Sequence, residues 1–168
     1  MENKKPIILA LNPGSRYLGF AVFDGYELID WGIKTINGKT VDSRKSNLKQ
    51  IFMMMLEKYG LAHVVIKKLH SSRCSPCLKQ LVRYLKYLAR KNKIKISQYP
   101  LGEVESFFIV SEEEKKNKQL LARMVVHQYP YLQPEFEKEK TNKNSYHLRM
   151  FEAVALGVVL LNKLENDK

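Results

Sequence analysis

The stretch Ile7–Ile36, IILALNPGSRYLGFAVFDGYELIDWGIKTI, decides how the chain is read. Ile7 to Leu11 is uninterruptedly apolar, the pattern of a central strand covered on both faces. Asn12-Pro13-Gly14-Ser15 is a turn by composition. A second strand is expected over Leu18 to Phe23. Asp24-Gly25 is a strong hairpin signal, and Tyr26 to Ile36 supplies a third strand. Three strands joined by tight turns predict an antiparallel meander.

Beyond Ile36 the period changes. Ser43 or Ser46 can cap a helix that runs to Tyr59, where Gly60 stops it. AHVVIKKL reads as a short β-branched strand from Ala62 to about Lys67. Ser75, with Pro76 in the first turn, opens a helix through Lys91. Its apolar stripe is Leu78, Leu81, Val82, Leu85, Leu88 and Ala89, while Lys79, Arg83, Lys86 and Arg90 share another face. Ile94 to Tyr99 is a fifth strand, ended by Pro100. Short helices are expected over Gly102–Val110 and Lys116–Tyr129. Gln133 to Asn144 is charged and aperiodic and reads as a mobile loop, and a last helix covers Tyr146 to Leu164. Alternation of helix and strand in the second half implies strands added in parallel through crossover helices. With 168 residues, no internal repeat and no linker, one domain over residues 1–168 is expected.

The charge balance is the loudest bulk signal. There are 29 Lys+Arg against 17 Asp+Glu, a net of +12, which favours polyanionic partners through counterion release. The basic residues are spread along the chain, which disfavours a membrane surface as the partner. The longest apolar run near the end, Ala153 to Leu161, is far too short to span a bilayer. Two cysteines do not make a disulfide scaffold. A cytoplasmic protein is expected.

The element order resembles the ribonuclease H-like fold, an α/β class with a five-stranded mixed sheet, three strands antiparallel and then two parallel, flanked by helices. The motifs ILALNPGSRYLGFAVF, HVVIKKLH, NKQLLARMVVHQYP and FEAVALGVVLL resemble, within that fold, the RuvC-like Holliday-junction resolvase family. The resemblance implies a cluster of acids: one ending the first strand, one ending the fourth, and one or two on the last helix. Such a cluster holds two Mg²⁺ ions, hard cations that take anionic oxygen ligands, and these activate water against a phosphodiester.

This chain departs from that pattern. Asn12 stands at the end of the first strand, and Lys67, or Lys68 with a one-residue shift, at the end of the fourth. Glu152 occupies the acid position on the last helix, and Arg149 stands three residues before it. Leu148, Glu152, Ala155 and Val159 share one apolar stripe, so the Glu152 carboxylate must be paired, metal-bound or neutralised, or reach water from the stripe's edge. Lys67 can take the place of an ion by pairing with Glu152. One carboxylate and one ammonium cannot offset two divalent ions: unit charges at about 4 Å repel by roughly 4 kcal/mol at an effective dielectric of 20. No metal site and no cofactor are therefore expected, with Mg²⁺ entering only if the centre is active.

Other residues have their own readings. Cys74-Ser-Pro-Cys77 with His70 could bind zinc or act as a redox pair, but no fourth ligand is in sight. His63 reads as structural or exposed, and His127 has no partner in sequence. His147 begins the last helix near the expected site and could place a water or contact phosphate. Arg16, after the glycine turn, is within reach of a phosphate. Tyr84 and Tyr87, interleaved with the basic face, could stack on a base, and the resemblance gives them a second role, subunit contact in a homodimer. Met53, Met54 and Met55 read as core filler.

The leading expectation is a nucleic-acid-binding protein, with branched or duplex DNA as partner, held through Arg16, Lys79, Arg83, Lys86 and Arg90 around a degenerate nuclease centre. Two alternatives stand beside it. One is an active structure-specific endonuclease with altered ligands, using Asn12, Glu152, His147 and an acid such as Asp24 or Glu103. The other is a non-enzymatic dimeric interaction protein.

Overall fold

The computed structural model describes residues 5–109, 117–141 and 147–167. The meander comes first, as β1 (Ile7–Pro13), β2 (Tyr17–Asp24) and β3 (Glu27–Thr35). Then α1 (Val41–Tyr59) leads to β4 (His63–Lys68), and α2 (Pro76–Lys91) leads to β5 (Lys95–Pro100). Among the described residues four helices follow: α3 (Leu101–Phe108), α4 (Lys118–Gln128), α5 (Gln133–Thr141) and α6 (Leu148–Asn166), with a 3₁₀ turn over Pro130–Leu132. The sheet order is β3-β2-β1-β4-β5. β1 and β2, and β2 and β3, are antiparallel, whereas β4 joins β1 and β5 joins β4 in parallel. The expected mixed sheet is the observed one.

Strand alternation divides the interior in two. Ile8 and Ala10 of β1, Ala21 and Phe23 of β2 and Val65 of β4 face α6, while Leu9, Leu11, Val22, Val64 and Ile66 face α1 and α2. α6 is the pillar of the first core, buried without a break from Met150 to Leu161. α2 closes the second with Leu81, Val82, Leu85, Leu88 and Ala89, the stripe read from its periodicity. Its start is also as expected, with the Leu78 amide donating to Ser75 Oγ at 3.1 Å.

Two local expectations are corrected. The cap of α1 is Thr40: its Oγ1 accepts from the Ser43 amide at 3.1 Å, and Ser43 Oγ accepts from the Thr40 amide at 3.0 Å. Ser43 is thus the reciprocal partner in a capping box rather than the cap. The stretch expected as a mobile loop is helical as α5 over Gln133–Thr141, and residues 142–144 of that loop, like Tyr146 of the expected last helix, lie outside the described residues. The helix has one large apolar anchor, Phe136, which meets Phe151 edge-on with centroids 6.2 Å apart. A single anchor produces no periodicity, and Gln133 donating to Glu137 at 2.5 Å adds an i,i+4 link.

Candidate functional site: a lysine-filled centre at the end of β1 and β4

The strand pleat that builds the cores also aims the site. Asn12 has the parity of Ile8 and Ala10 and so faces α6, as does Lys67, which shares the parity of Val65. Leu11 pairs with Ile66, which brings the two positions side by side on adjacent parallel strands. Lys68, one residue on, faces α2. The ambiguity between Lys67 and Lys68 is resolved by this parity: Lys67 enters the centre and Lys68 does not.

Glu152 lies opposite on α6 and is 4% exposed, so its charge must be met inside. Its Oε2 accepts from Asn12 Nδ2 at 2.5 Å and from Lys67 Nζ at 3.2 Å. Its Oε1 lies 3.4 Å from Lys118 Nζ, close enough for charge attraction but not aligned for a hydrogen bond. Lys67 is 24% exposed and Lys118 52%, so the second ammonium is the looser of the two. Asn12 Nδ2 also donates to the Arg149 carbonyl at 3.2 Å. Both its partners are acceptors, so the amide orientation is set by chemistry. An aspartate at position 12 would press a carboxylate against another carboxylate and a carbonyl, an arrangement that needs a cation between them. Asn12 and Lys67 are therefore coupled departures: each removes a reason for a metal ion to be there.

The donor set does not suit Mg²⁺. One carboxylate faces two ammonium groups, and among the described residues no three His, Cys, Asp or Glu side chains converge in a way that could hold a metal ion. No step is derived through such an ion. Asp24, at the far end of β2 opposite Ile7, and Glu103, paired with Lys163, are both remote from Asn12 and supply no missing acid.

Arg149 sits at the first turn of α6, clamped by the β1–β2 hairpin. Its backbone carbonyl would lie 2.4 Å from a Cβ on Gly19, and its guanidinium 2.5 Å from a Cβ on Gly14. The glycines of NPGSRYLG make room for Arg149. His147 turns away from Glu152 toward α5: its amide donates to Glu139 Oε2 at 3.1 Å, and its Nδ1 lies 3.7 Å from Glu135 Oε2.

On the α2 side of the sheet, Lys68, Leu69, Lys79, Val82, Arg83, Lys86 and Gln98 line an open cleft of about 250 Å³. Three of the basic residues read from the α2 periodicity therefore share one cleft. Arg90 is exposed farther along the same helix, and Arg16 is exposed in the turn before β2. Tyr84 and Tyr87 stack on one another, 5.9 Å between centroids and 21° between planes, with Lys45 and Lys91 over their faces. His63 is buried against Ser97 at 2.8 Å, and burial, then the charge of Lys95, pushes its imidazole below the ordinary value. Cys74 and Cys77 are free thiols, and Cys77 Sγ accepts from Arg44 at 3.5 Å. Met55 is buried, whereas Met54 is 68% exposed, so core filling holds for only part of that triplet.

Sequence reasoning missed Lys118, Lys68 as a lining residue of the cleft, and the seat that Gly14 and Gly19 make for Arg149. Parity with Val64 and Ile66 could have placed Lys68. Nothing local could have found Lys118, whose partner lies 34 residues away on another helix.

No family model and no curated protein matches the sequence. Solved structures do match its fold. T. thermophilus RuvC in complex with a Holliday junction substrate superposes with a TM-score of 0.68 at 13% identity, over 95% of this chain and 96% of that one. The yeast mitochondrial Holliday junction resolvase gives 0.64 at 12%, over 98% and 85%. The fowlpox virus resolvase in complex with Holliday junction DNA gives 0.60 at 14%, over 94% and 98%. The fold is RuvC-like, of the ribonuclease H-like kind. That likeness spans nearly the whole chain.

Proposed function

We propose that this protein binds nucleic acid, with branched or duplex DNA as its partner, and that its centre does not carry out two-metal hydrolysis. One dipeptide supports both halves. Lys67 points to one face of the sheet and meets Glu152 at 3.2 Å, in the quarter where the resolvase resemblance implies a metal-binding acid. Lys68 points to the other and joins Lys79, Arg83 and Lys86 in a cleft suited to a phosphate backbone. A net charge of +12 supplies long-range attraction to the same ligand. The solved RuvC and fowlpox resolvase complexes make a four-way junction the first ligand to try. A cytoplasmic location, a homodimer and the absence of any cofactor belong to the same proposal. Among the described residues no helix is long and apolar enough to cross a membrane.

The test is fluorescence anisotropy of labelled four-way junction and duplex over a range of salt, with parallel incubation in Mg²⁺ or Mn²⁺. Binding that weakens steeply with salt and leaves the junction intact is expected. Absence of binding at low salt overturns the first half, and cleavage by the unmodified protein overturns the second. Cleavage gained only by Asn12→Asp with Lys67→Glu would agree with both.

A further inference from the structure

We propose that Arg149 is a preformed receptor for a phosphate group, so that the protein's own cations contact the ligand at the place where a metal-dependent relative would interpose ions. The nucleic-acid reading above supplies the source of that phosphate, and the receptor itself rests on separate observations. The Arg149 guanidinium is only half-exposed, yet among the described residues no hydrogen bond or ion pair is made by it. A partly desolvated guanidinium without an anion is an open valence, since its donors form a rigid fork matched to carboxylate or phosphate oxygens.

Its position is also held in advance. Gly14 and Gly19 leave the guanidinium and the backbone of Arg149 spaces that a Cβ would enter at 2.5 and 2.4 Å. The Arg149 carbonyl is tied to Asn12, which is tied in turn to Glu152 and so to Lys67. Each lysine ammonium carries three donors, and Glu152 engages only part of that supply. Among the described residues, three cations against one carboxylate leave a local excess of two positive charges around the tip of β1. An anion of one or two charges is the complement.

The two glycines separate the receptor from mere packing. At Gly14 a methyl group would meet chiefly the flexible end of Arg149, with the Tyr17 carbonyl farther off at 3.1 Å, whereas at Gly19 it would meet the Arg149 backbone. Gly14→Ala should therefore displace the guanidinium while keeping every charge and the fold.

The experiment titrates unmodified protein, Gly14→Ala, Arg149→Ala and Arg149→Lys with inorganic phosphate and with dimethyl phosphate, following the backbone amide resonances of residues 14–19 in all four and the Arg149 Nε–H resonance in the two that keep it. The same proteins are then titrated with junction DNA at several salt concentrations, and thermal unfolding checks the fold. Both probes should shift the resonance in the unmodified protein. Gly14→Ala and Arg149→Ala should each weaken probe binding by about tenfold and lower the slope of log affinity against log salt by about one. Arg149→Lys should fall between. Probe affinities unchanged in both Gly14→Ala and Arg149→Ala overturn the receptor. If those variants also bind DNA normally, the receptor falls and the nucleic-acid reading stands. If the probes bind and DNA does not, the receptor stands and that reading falls.

Discussion

Asn12 differs from aspartate by one amide group, and that group reverses what the centre needs. With Nδ2 donating to both Glu152 and the Arg149 carbonyl, the end of β1 is satisfied by hydrogen bonds alone. Lys67 then supplies a fixed positive charge to the buried Glu152 carboxylate. A buried pair of this kind costs more to break than to replace. Lys67→Met should lower stability by about 1–3 kcal/mol, because the buried Glu152 then retains only Asn12 and the misaligned Lys118. Lys67→Met with Glu152→Met should lose less than Lys67→Met alone. Urea unfolding of the two variants checks this, and strictly additive losses would mean that solvent already screens the pair.

α6 carries the largest share of one core and presents both Arg149 and Glu152, so its distance from the sheet sets the geometry of the centre. Gly157 sets that distance. A Cβ there would come within 2.1 Å of the Phe23 ring, itself fully buried in β2. Gly157→Ala should destabilise by about 1–3 kcal/mol despite the better helix propensity of alanine, as overpacking of a filled interior does. Gly102→Ala in α3 is the matching control: nothing lies within 4 Å of its Cβ position, so stability should be unchanged or slightly raised. Melting temperatures of the two variants should move apart. The α5 segment shows the limit of reading elements from pattern: one buried Phe136 anchors it, and its remaining residues look like solvated loop.

At the scale of the whole molecule, the sheet separates two basic regions by a single residue step at the end of β4. Lys67 belongs to the centre with Lys118, and Lys68 to the cleft with Lys79, Arg83 and Lys86. A backbone lying in the cleft would release counterions in proportion to the phosphates neutralised. Lys79→Glu with Arg83→Glu should lower the salt slope of junction binding by about two and weaken binding to duplex and junction alike, since phosphate contacts carry no base identity. Binding that is indifferent to both charge reversals would place the ligand elsewhere on the protein.

The meander, the two parallel strands, the α2 stripe and the place of Glu152 on an apolar stripe were all legible in the chain. They rest on local periodicity, turn chemistry and the cost of an apolar environment for charge, each of which acts over a few residues. The cap of α1 and the helicity of α5 were not, because a reciprocal Thr40–Ser43 bond and a lone aromatic anchor leave no repeating pattern. The substitutions at Asn12 and Lys67 could be seen in sequence, but their mutual dependence is a property of register and pleat. Only the packed molecule brings Lys118 to Glu152 and empties Gly14 and Gly19 for Arg149, because side chains from β1, β4, α4 and α6 become neighbours solely when both cores close around the sheet.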